Sequence, residues 1–290
     1  MAGSSFSDRA FTALVGLLAQ HALSRAVHAV TRVRARFVRT ALIGVFQRIY
    51  KVDLADAAPA PEDGYPSFNA FFTRALAPGR RPVQGDSLTL VSPADAVVSQ
   101  AGAIQAGRIF QAKGHDFDVL ELLGGQTDLA SPFAGGRFAT LYLSPRDYHR
   151  VHSPLDFELR TQVHVPGRLY SVNAATTRAR PRLFARNERV VCYGETPAGP
   201  MAIVLVGALF VGSIETVWAG EITPPAGRRV VRREFPRGAE AVRIARGEEL
   251  GRFNMGSTVI VLTGPNIAWN EPVVADATVR VGQTIGSICD

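Results

Sequence analysis

The sequence predicts an α+β fold in which N-terminal amphipathic helices precede a β-rich body, built as a sandwich or as a barrel-like structure. Apolar residues recur at helical spacing up to about residue 50, whereas from about residue 83 onward short apolar runs are punctuated by Gly and Pro. No β-α-β alternation is visible. The chain has 290 residues, of which 47% are hydrophobic and 20% charged, and this composition is typical of a folded protein with ample core.

The N-terminal region predicts two helices, over residues 6–20 and 24–50. The apolar stretch of the first helix is too short, and too soon followed by charge, to span a bilayer. In the second helix arginines share one face, and apolar residues interrupted by Arg34 lie opposite. The two sets are Arg25, Arg32, Arg36 and Arg39 against Val27, Val30, Phe37, Ala41 and Val45.

The positive charge of the chain is concentrated in this region. Residues 9–52 contain eight Arg and Lys and no Asp or Glu, whereas the whole chain has a net charge of +7. A basic amphipathic helix suits the surface of an anionic membrane, where each basic residue contributes on the order of 1 kcal/mol. Two alternatives stay open: a solvated face packed on the protein's own core, and an Arg-rich mitochondrial transit peptide without an evident cleavage site.

The rest of the chain predicts a linker followed by the β-rich body. Residues 53–66 read as the linker, and the FNAFFTR stretch at 68–74 predicts a short helix whose three Phe residues belong to the core. Apolar runs at 139–143, 189–192, 202–206 and 259–262 predict strands, and the segment 277–286 predicts a hairpin. We therefore divide the chain into residues 1–52 and 53–290.

Several classes of site and partner find no support in the sequence. Cys192 and Cys289 are far apart and predict neither a disulfide framework nor a zinc site, which fits a reducing compartment. A His-x-x-His pair with one acid is incomplete as a metal site, so we predict no metal. Outside residues 9–52 the charge is about neutral and no RNA-binding or zinc-finger signature occurs, so we predict no nucleic-acid partner.

A Gly-Ser-Thr step interrupts the apolar strand pattern of FNMGSTVIVL at residues 253–262. Gly256 has no Cβ to shield its carbonyl group, so the hydroxyl of Ser257 is sterically free to attack it. An N→O acyl shift followed by β-elimination would cut the chain and leave dehydroalanine, and loss of ammonia would then leave an N-terminal pyruvoyl group. For Gly-Ser-Thr alone, the alternative is an ordinary turn or bulge in a strand.

Two further stretches carry residues that can transfer protons. Asp95 follows a proline turn in SPADAVV at 92–98, and His149 and His152 lie three residues apart in LSPRDYHRVHSP at 143–154. An Asp that orients a His, and a His that deprotonates Ser257, would form a catalytic triad. A serine hydrolase is therefore an alternative, although its nucleophile elbow needs Gly two residues before and after the Ser, where this chain has Met and Val.

These stretches belong to a longer ordered set: YKVD at 50–53, FNAFFTR at 68–74, SPAD at 92–95, YLSPRDYHRVH at 142–152, PG at 166–167, LFARNER at 183–189, VGSIETVWAG at 211–220, GRF at 251–253 and GST at 256–258. In this set the chain resembles the phosphatidylserine decarboxylases of the bacterial membrane-associated type. It departs from their usual pattern at Met255, where the family has Leu, and at Ala96, where it has Gly. Met keeps the volume and polarity of Leu, whereas Ala96 would be mildly strained if its φ were positive.

The resemblance implies a pyruvoyl-dependent carboxy-lyase that converts phosphatidylserine to phosphatidylethanolamine. It implies self-cleavage between Gly256 and Ser257, which gives a β chain of residues 1–256 and an α chain of residues 257–290. The pyruvoyl group at the start of the α chain would form a Schiff base with the serine amine and accept electrons as CO2 leaves. Asp95, His152 and Ser257 are implied to form the self-processing triad, and the same three residues would serve the hydrolase alternative.

Further expectations concern His149, the assembly of the cleaved chains and their location. His149 can face the same cavity as His152, so we assign to it protonation of the substrate carbon after CO2 leaves, the alternative being that it only packs the loop. The α and β chains are expected to remain together as a heterodimer, with a higher oligomer left open. The basic helices are expected to hold the enzyme on the cytoplasmic face of the cell membrane as a peripheral protein, next to its lipid substrate.

Overall fold

The computed structural model describes residues 20–112, 114–209, 213–224, 228–254, 257–270 and 273–289. Its α-helices are α1 (Gln20–Thr31), α2 (Arg36–Tyr50), α3 (Phe68–Phe72), α4 (Val119–Leu122), α5 (Thr127–Ala130), α6 (Ala174–Ala179) and α7 (Leu183–Arg186). Short 3-10 helices lie at Ser131–Phe133 and Gly238–Glu240. The predicted helix over residues 6–20 lies outside the described residues, apart from Gln20.

The strands alternate with short turns over the rest of the chain. They are β1 (Thr89–Val91), β2 (Ala96–Ala103), β3 (Arg108–Ala112), β4 (His115–Asp118), β5 (Arg137–Leu143), β6 (Arg150–His152), β7 (Phe157–Val165), β8 (Arg189–Thr196), β9 (Gly199–Val206), β10 (Ile214–Thr216), β11 (Gly220–Glu221), β12 (Val231–Glu234), β13 (Arg243–Ile244), β14 (Glu249–Phe253), β15 (Ser257–Thr263), β16 (Ile267–Trp269), β17 (Thr278–Val279) and β18 (Thr284–Ile288). The predicted α+β class and the four predicted strands are confirmed.

The main sheet is antiparallel and has the order β12-β7-β8-β9-β15-β5-β2-β17, with β13 also paired to β7. A second sheet has the order β11-β10-β14-β6, a third β1-β18-β16, and β3 pairs with β4. In the described part of the chain these sheets stay open and form no closed barrel. The second sheet matters for the site because β6 and β14 bring two predicted site segments side by side.

Strand β15 lies between β9 and β5 in the main sheet. Residues Val259, Ile260, Val261 and Leu262 are all 0% exposed. A strand that is covered on both faces has an almost continuous apolar sequence, which explains the pattern of residues 259–262. At about 1.5–3 kcal/mol for each buried aliphatic side chain, this strand is a main contributor to the stability of the body.

The prediction of one helix over residues 24–50 is wrong, because α1 and α2 are separate elements joined by residues 32–35. The Arg32 guanidinium donates to the His28 carbonyl oxygen at the end of α1 (3.3 Å) and to the Glu221 carboxylate (2.7 Å). Helix α2 turns away and packs Phe46 against Phe68 of α3, with ring centroids 5.0 Å apart. These tertiary contacts override the helix propensity of the connecting residues.

A small second core joins α2 to α3. It consists of Phe46, Phe68, Phe71 and Phe72, with Leu42, Ile43, Val52 and Tyr65 packed against it. The prediction that the three Phe residues of the 68–74 stretch are core residues is therefore confirmed. The predicted linker at 53–66 contains no helix and no named strand, which agrees with its composition.

The predicted hairpin at 277–286 is wrong, because its two strands belong to different sheets. Strand β17 pairs with β2, whereas β18 pairs with β1 and β16. The turn between them is held by other segments: Gly282, with φ +79°, donates its N–H to the Ser92 carbonyl (3.1 Å). The Val281 N–H donates to the Asp95 carboxylate (2.8 Å), so the turn is fixed to the Asp95 segment rather than closing a ladder of its own.

Candidate active site

Ser257 is the first residue of β15 and pairs with Leu143, the last residue of β5. It is 0% exposed, and its Oγ has no hydrogen-bond partner among the described residues. A buried polar group without a partner costs about 1–3 kcal/mol, and a catalytic role is one explanation for such a group. Gly256, whose carbonyl group would be attacked, lies outside the described residues, so cleavage at this bond stays a prediction.

Asp95 ends the SPAD turn, directly before β2. Arg81 binds its carboxylate with two nitrogens, at 2.6 Å from Nη2 to Oδ2 and 3.0 Å from Nε to Oδ1. Arg81 also donates to Asp56 at 2.7 Å, and the hydrogen bonds to Asp95 and Asp56 raise the pKa of the guanidinium. Ala96, where the resembled family has Gly, is not among the residues with positive φ, so Ala causes no backbone strain there.

The two histidines are carried by the loop between β5 and β6. In this loop the Asp147 N–H donates to the Ser144 carbonyl (2.9 Å), and the Asp147 carboxylate accepts from the Ser144 N–H (2.7 Å). Proline at the second position, as in Ser-Pro-Arg-Asp, favours such a turn. Burial raises the pKa of Asp147, partly offset by the Ser144 N–H and nearby arginines. The closed turn fixes where His149 and β6 begin.

His152 ends β6, and both of its ring nitrogens are engaged. Nδ1 lies 2.8 Å from the Gly247 carbonyl oxygen, and Nε2 lies 3.0 Å from the Tyr148 hydroxyl. Because a carbonyl oxygen only accepts, Nδ1 carries the proton and Nε2 accepts from Tyr148. Burial is the main cause that lowers the pKa of His152, so its ring is neutral at neutral pH.

His149 is completely buried and has one open ring nitrogen. Its Nδ1 lies 2.8 Å from the Asp147 carbonyl oxygen, whereas its Nε2 has no partner among the described residues. The ring packs on Phe72 with centroids 4.2 Å apart, which joins the site to the second core. Burial, assisted by Arg74, lowers the pKa of His149 to about 3, so Nε2 presents a lone pair rather than a proton.

The structure brings the predicted triad segments together without linking their side chains. The backbone N–H of His152 donates to the carbonyl oxygen of Pro93 (2.8 Å), which lies two residues before Asp95. The negative charge of Asp95 favours the protonated form of the His152 ring through space. Strand β14, which pairs with β6, leads towards Ser257. Among the described residues no hydrogen bond joins Asp95, His152 and Ser257, so the triad stays a prediction.

Two cavities flank this arrangement. One, of about 240 Å³, lies on the Asp95 side, and its polar lining includes Arg74, Arg81, Asp95, Arg146, Asp147 and Tyr148. The other, of about 120 Å³, borders the strand position that pairs with Ser257, and its lining includes Phe46, Tyr50, Tyr142, Leu143, Ser171 and Ala208. Helix α2 therefore forms one wall of the cavity beside the start of β15.

Sequence reasoning missed Arg81, Tyr148 and the Gly247 carbonyl. Tyr148 has a local signal, since it stands four residues before His152 in the same motif. The other two have none: Arg81 meets Asp95 across a turn, and any residue can supply a carbonyl oxygen at position 247. Their contribution depends on the fold alone.

Comparisons with known proteins bear on this site. The family model described as phosphatidylserine decarboxylase matches residues 68–287. The phosphatidylserine decarboxylase proenzyme of Methylococcus capsulatus is 51% identical over 96% of this chain and 96% of its own. That of Alkalilimnicola ehrlichii is 52% identical, again over 96% of each chain, and that of Pseudomonas aeruginosa is 52% identical over 97% of this chain and 98% of its own. The matched range contains Asp95, His149, His152 and Ser257.

Proposed function

The chain belongs to the phosphatidylserine decarboxylase family, and we propose that it is a proenzyme that cuts itself at Gly256–Ser257 and then decarboxylates phosphatidylserine to phosphatidylethanolamine. The observation that carries the proposal is the buried Ser257 hydroxyl at the start of β15 in the Gly-Ser-Thr motif, which has no hydrogen-bond partner among the described residues. A hydroxyl that no described residue engages is available to attack the preceding carbonyl group. Membership of this family favours the decarboxylase over the serine-hydrolase alternative.

His152 is the proposed base for self-cleavage. Its neutral ring is oriented by the bond from Nδ1–H to the Gly247 carbonyl oxygen, so Nε2 is the basic atom. The Tyr148 hydroxyl occupies that atom, and it must exchange its bond for His152 to take the Ser257 proton. Asp95, fixed by Arg81, favours the resulting imidazolium through its charge.

When formed from Ser257, the pyruvoyl group supplies the electron sink that decarboxylation requires. His149 is the proposed proton carrier in that reaction. With its pKa near 3 and its Nε2 unpartnered among the described residues, His149 begins as an acceptor. We propose that the carboxylate of the bound substrate favours the charged ring, so that Nε2 takes up a proton from solvent as the substrate binds and gives it to the substrate carbon once CO2 has left.

The cleaved chains are proposed to stay together as a heterodimer because the α chain supplies internal strands. Strand β15 pairs with β5 on one side and β9 on the other. Further along the α chain, β17 pairs with β2, and β18 pairs with β1. Removing residues 257–290 would thus open the main sheet through its middle, and a higher oligomer is left open.

A membrane is the proposed partner of the apolar face of α2, defined as Phe37, Ala41, Val45 and Ile49. Three of these side chains are strongly exposed: Phe37 at 79%, Val45 at 56% and Ile49 at 65%. Exposed apolar faces of this kind mark sites of protein or membrane interaction. The exposed basic residues Arg34, Arg36, Arg48 and Lys51 adjoin this face, which suits anionic lipid.

The proposed location is peripheral, on the cytoplasmic face of the cell membrane. None of the described helices combines the length and the hydropathy needed to cross a bilayer. Docking through α2 would bring lipid to the cavity that Phe46 and Tyr50 of the same helix help to line. The free thiols of Cys192 and Cys289 fit a reducing compartment.

An intact mass spectrum under denaturing conditions tests the proposal. The purified chain should give a 256-residue and a 34-residue fragment, the shorter one blocked to Edman degradation by its ketone, and phosphatidylethanolamine should appear with CO2. Ser257→Ala should stay whole and inactive, whereas Ser287→Ala, in the same fragment, should be cut and active. A full-length species that decarboxylates phosphatidylserine would refute the pyruvoyl mechanism.

A further inference from the structure

The buried Ser213 hydroxyl connects helix α1 to the segment before the proposed cleavage bond. It accepts from Asn254 Nδ2 and, at 3.4 Å, from Nη2 of Arg32, which directly follows α1. The Asn254 N–H also donates to the Ser213 carbonyl at 3.0 Å. Asn254 stands three residues before Ser257 in the sequence. The Ser213 hydroxyl therefore links Arg32, which follows α1, to Asn254 in the segment before the proposed cleavage bond.

Glu221 completes this arrangement, which we call the Ser213 network: Arg32, Ser213, Glu221 and Asn254. The Glu221 carboxylate oxygen lies 2.7 Å from Arg32 Nη2 and 2.6 Å from His28 Nε2. Burial opposes ionisation of Glu221, but hydrogen bonds from Ser213 and His28 and the charge of Arg32 together lower its pKa. Glu221 is therefore a carboxylate, which can only accept hydrogen bonds.

Arg32 links Glu221 to the Ser213 hydroxyl. A hydroxyl has one proton to donate and two lone pairs that accept. Nη2 of Arg32 donates to both Glu221 and Ser213, so the bond to Glu221 holds Arg32 where it fills one lone pair of Ser213, and the other lone pair accepts from Asn254 Nδ2. Without Glu221, Arg32 would be free to leave Ser213, and the Asn254 amide could turn over.

The resulting orientation leaves Asn254 Oδ1 buried, with no partner among the described residues. The neighbouring Phe253 N–H donates to the His149 carbonyl at 3.0 Å, so the same segment is tied to the catalytic loop. In reactions that depend on near-attack geometry, a misplacement of about 1 Å costs on the order of a hundredfold in rate. The orientation of Asn254 is therefore a point at which the rate of self-cleavage can be set.

We propose that Glu221, held by Arg32 and His28, is a positioning residue for self-cleavage, which fixes Asn254 through Ser213 and so makes maturation depend on the docking of α1. The inference rests on the proposed cleavage at Gly256–Ser257. Docking of helix α1 would thus promote self-cleavage, in addition to any contact of this helix with lipid. A chain whose α1 is not docked is cut slowly.

The test follows the conversion of newly synthesised full-length chain into its two fragments on denaturing gels. Glu221→Gln and Arg32→Gln should each slow conversion about tenfold. The double variant should be no slower than either single variant, because both changes act through the same hydroxyl. Arg32→Lys, which keeps a cation beside Glu221, should recover part of the rate.

Two control variants remove a charge without touching the Ser213 network. Arg25→Gln changes an exposed arginine of the same helix, and Glu234→Gln removes a carboxylate bound by Arg232 elsewhere on the surface; both should convert at the wild-type rate. Three outcomes would overturn the proposal. Glu221→Gln and Arg32→Gln could be cut at the wild-type rate, or their effects on the rate could multiply in the double variant. The slowing could also merely follow a lower melting temperature of the variants. A wild-type chain that is never cut would contradict the proposed function itself.

Discussion

His149 and His152 each donate Nδ1–H to a backbone carbonyl oxygen at 2.8 Å, but only the Nε2 of His152 meets a hydroxyl. The Nε2 of His149 is buried and without a partner among the described residues. Two histidines three residues apart thus have the same tautomer and different surroundings. This difference is the physical basis for giving them different reactions.

The first prediction separates these two roles by substitution. His152→Ala should remain uncut, because Ser257 loses its proposed base. His149→Ala should be cut at Gly256–Ser257, since Nε2 of His149 is assigned to the later proton transfer, and should then decarboxylate phosphatidylserine at least about a hundredfold more slowly. Fragment masses and CO2 release measure the two steps separately.

His115→Ala is the matched control, because it removes a histidine from β4 in the two-stranded sheet. It should be cut and active like the wild type. If His149→Ala decarboxylates normally, the proton comes from another group and His149 only packs the loop. If His149→Ala is not cut, the proposed division of labour between the two histidines is wrong.

The second prediction concerns pH and the burial of His149. The unfolded chain binds a proton at this residue near pH 6.5, whereas the folded chain does so only near pH 3. As the pH falls, the unfolded state therefore takes up this proton first. Below about pH 6.5 the free energy of unfolding then decreases by about 1.4 kcal/mol per pH unit because of His149.

Urea unfolding of Ser257→Ala, which is expected to stay uncut, measures this effect in a single species. Between pH 6.5 and pH 4.5, adding His149→Phe should make the free energy of unfolding fall less steeply. The fall over this range should be smaller by about 2–3 kcal/mol than that of Ser257→Ala alone. Adding His115→Phe instead should leave the steep fall in place. If the free energy of unfolding has the same pH slope with and without His149, the ring binds a proton as readily in the folded chain as in the unfolded chain.

The third prediction concerns how the α chain is retained. The two fragments should elute together from a sizing column in native buffer and separate only in denaturant, because β15 lies between β5 and β9. Leu262→Ala should lower the free energy of unfolding by about 2–5 kcal/mol, since the side chain is 0% exposed. Leu88→Ala, at a side chain that is 55% exposed, is the control. Fragments that separate without denaturant would contradict the proposed heterodimer.

Parts of the fold were predictable because their cause is local. The apolar run at 259–262 predicts β15, since a strand covered on both faces has few polar residues. The break between α1 and α2 was not predictable, because it depends on the bond between Arg32 and Glu221, 189 residues apart in the chain. The separation of β17 from β18 likewise depends on the contact of Val281 with Asp95.

The candidate site divides in the same way. Asp95, the two histidines and Ser257 are carried by sequence motifs, so they could be proposed as site residues from the sequence, and their roles stay predictions. The partners that set their chemistry were not, because the Gly247 carbonyl oxygen that orients His152 leaves no trace in the sequence. The full burial that keeps His149 neutral depends on packing against Phe72 across the second core.

The last prediction concerns the membrane and the apolar face of α2. Replacing Phe37, Val45 and Ile49 together by Ser in the full chain should weaken binding to anionic vesicles at least about tenfold, because each side chain loses most of its transfer energy into the interface. The measurement is co-sedimentation with vesicles rich in phosphatidylserine. Added salt should weaken wild-type binding further, since it screens the adjoining basic residues.

A control for general surface hydrophobicity is available elsewhere on the molecule. Leu88, Val231 and Val274 are 55%, 59% and 58% exposed, and their joint replacement by Ser should leave vesicle binding unchanged. The α2 variant should still be cut at Gly256–Ser257, because its changes lie outside the Ser213 network. Binding to anionic vesicles that survives the α2 substitutions would mean that lipid is held by another surface, and the proposed approach of phosphatidylserine past Phe46 and Tyr50 to Ser257 would lose its support.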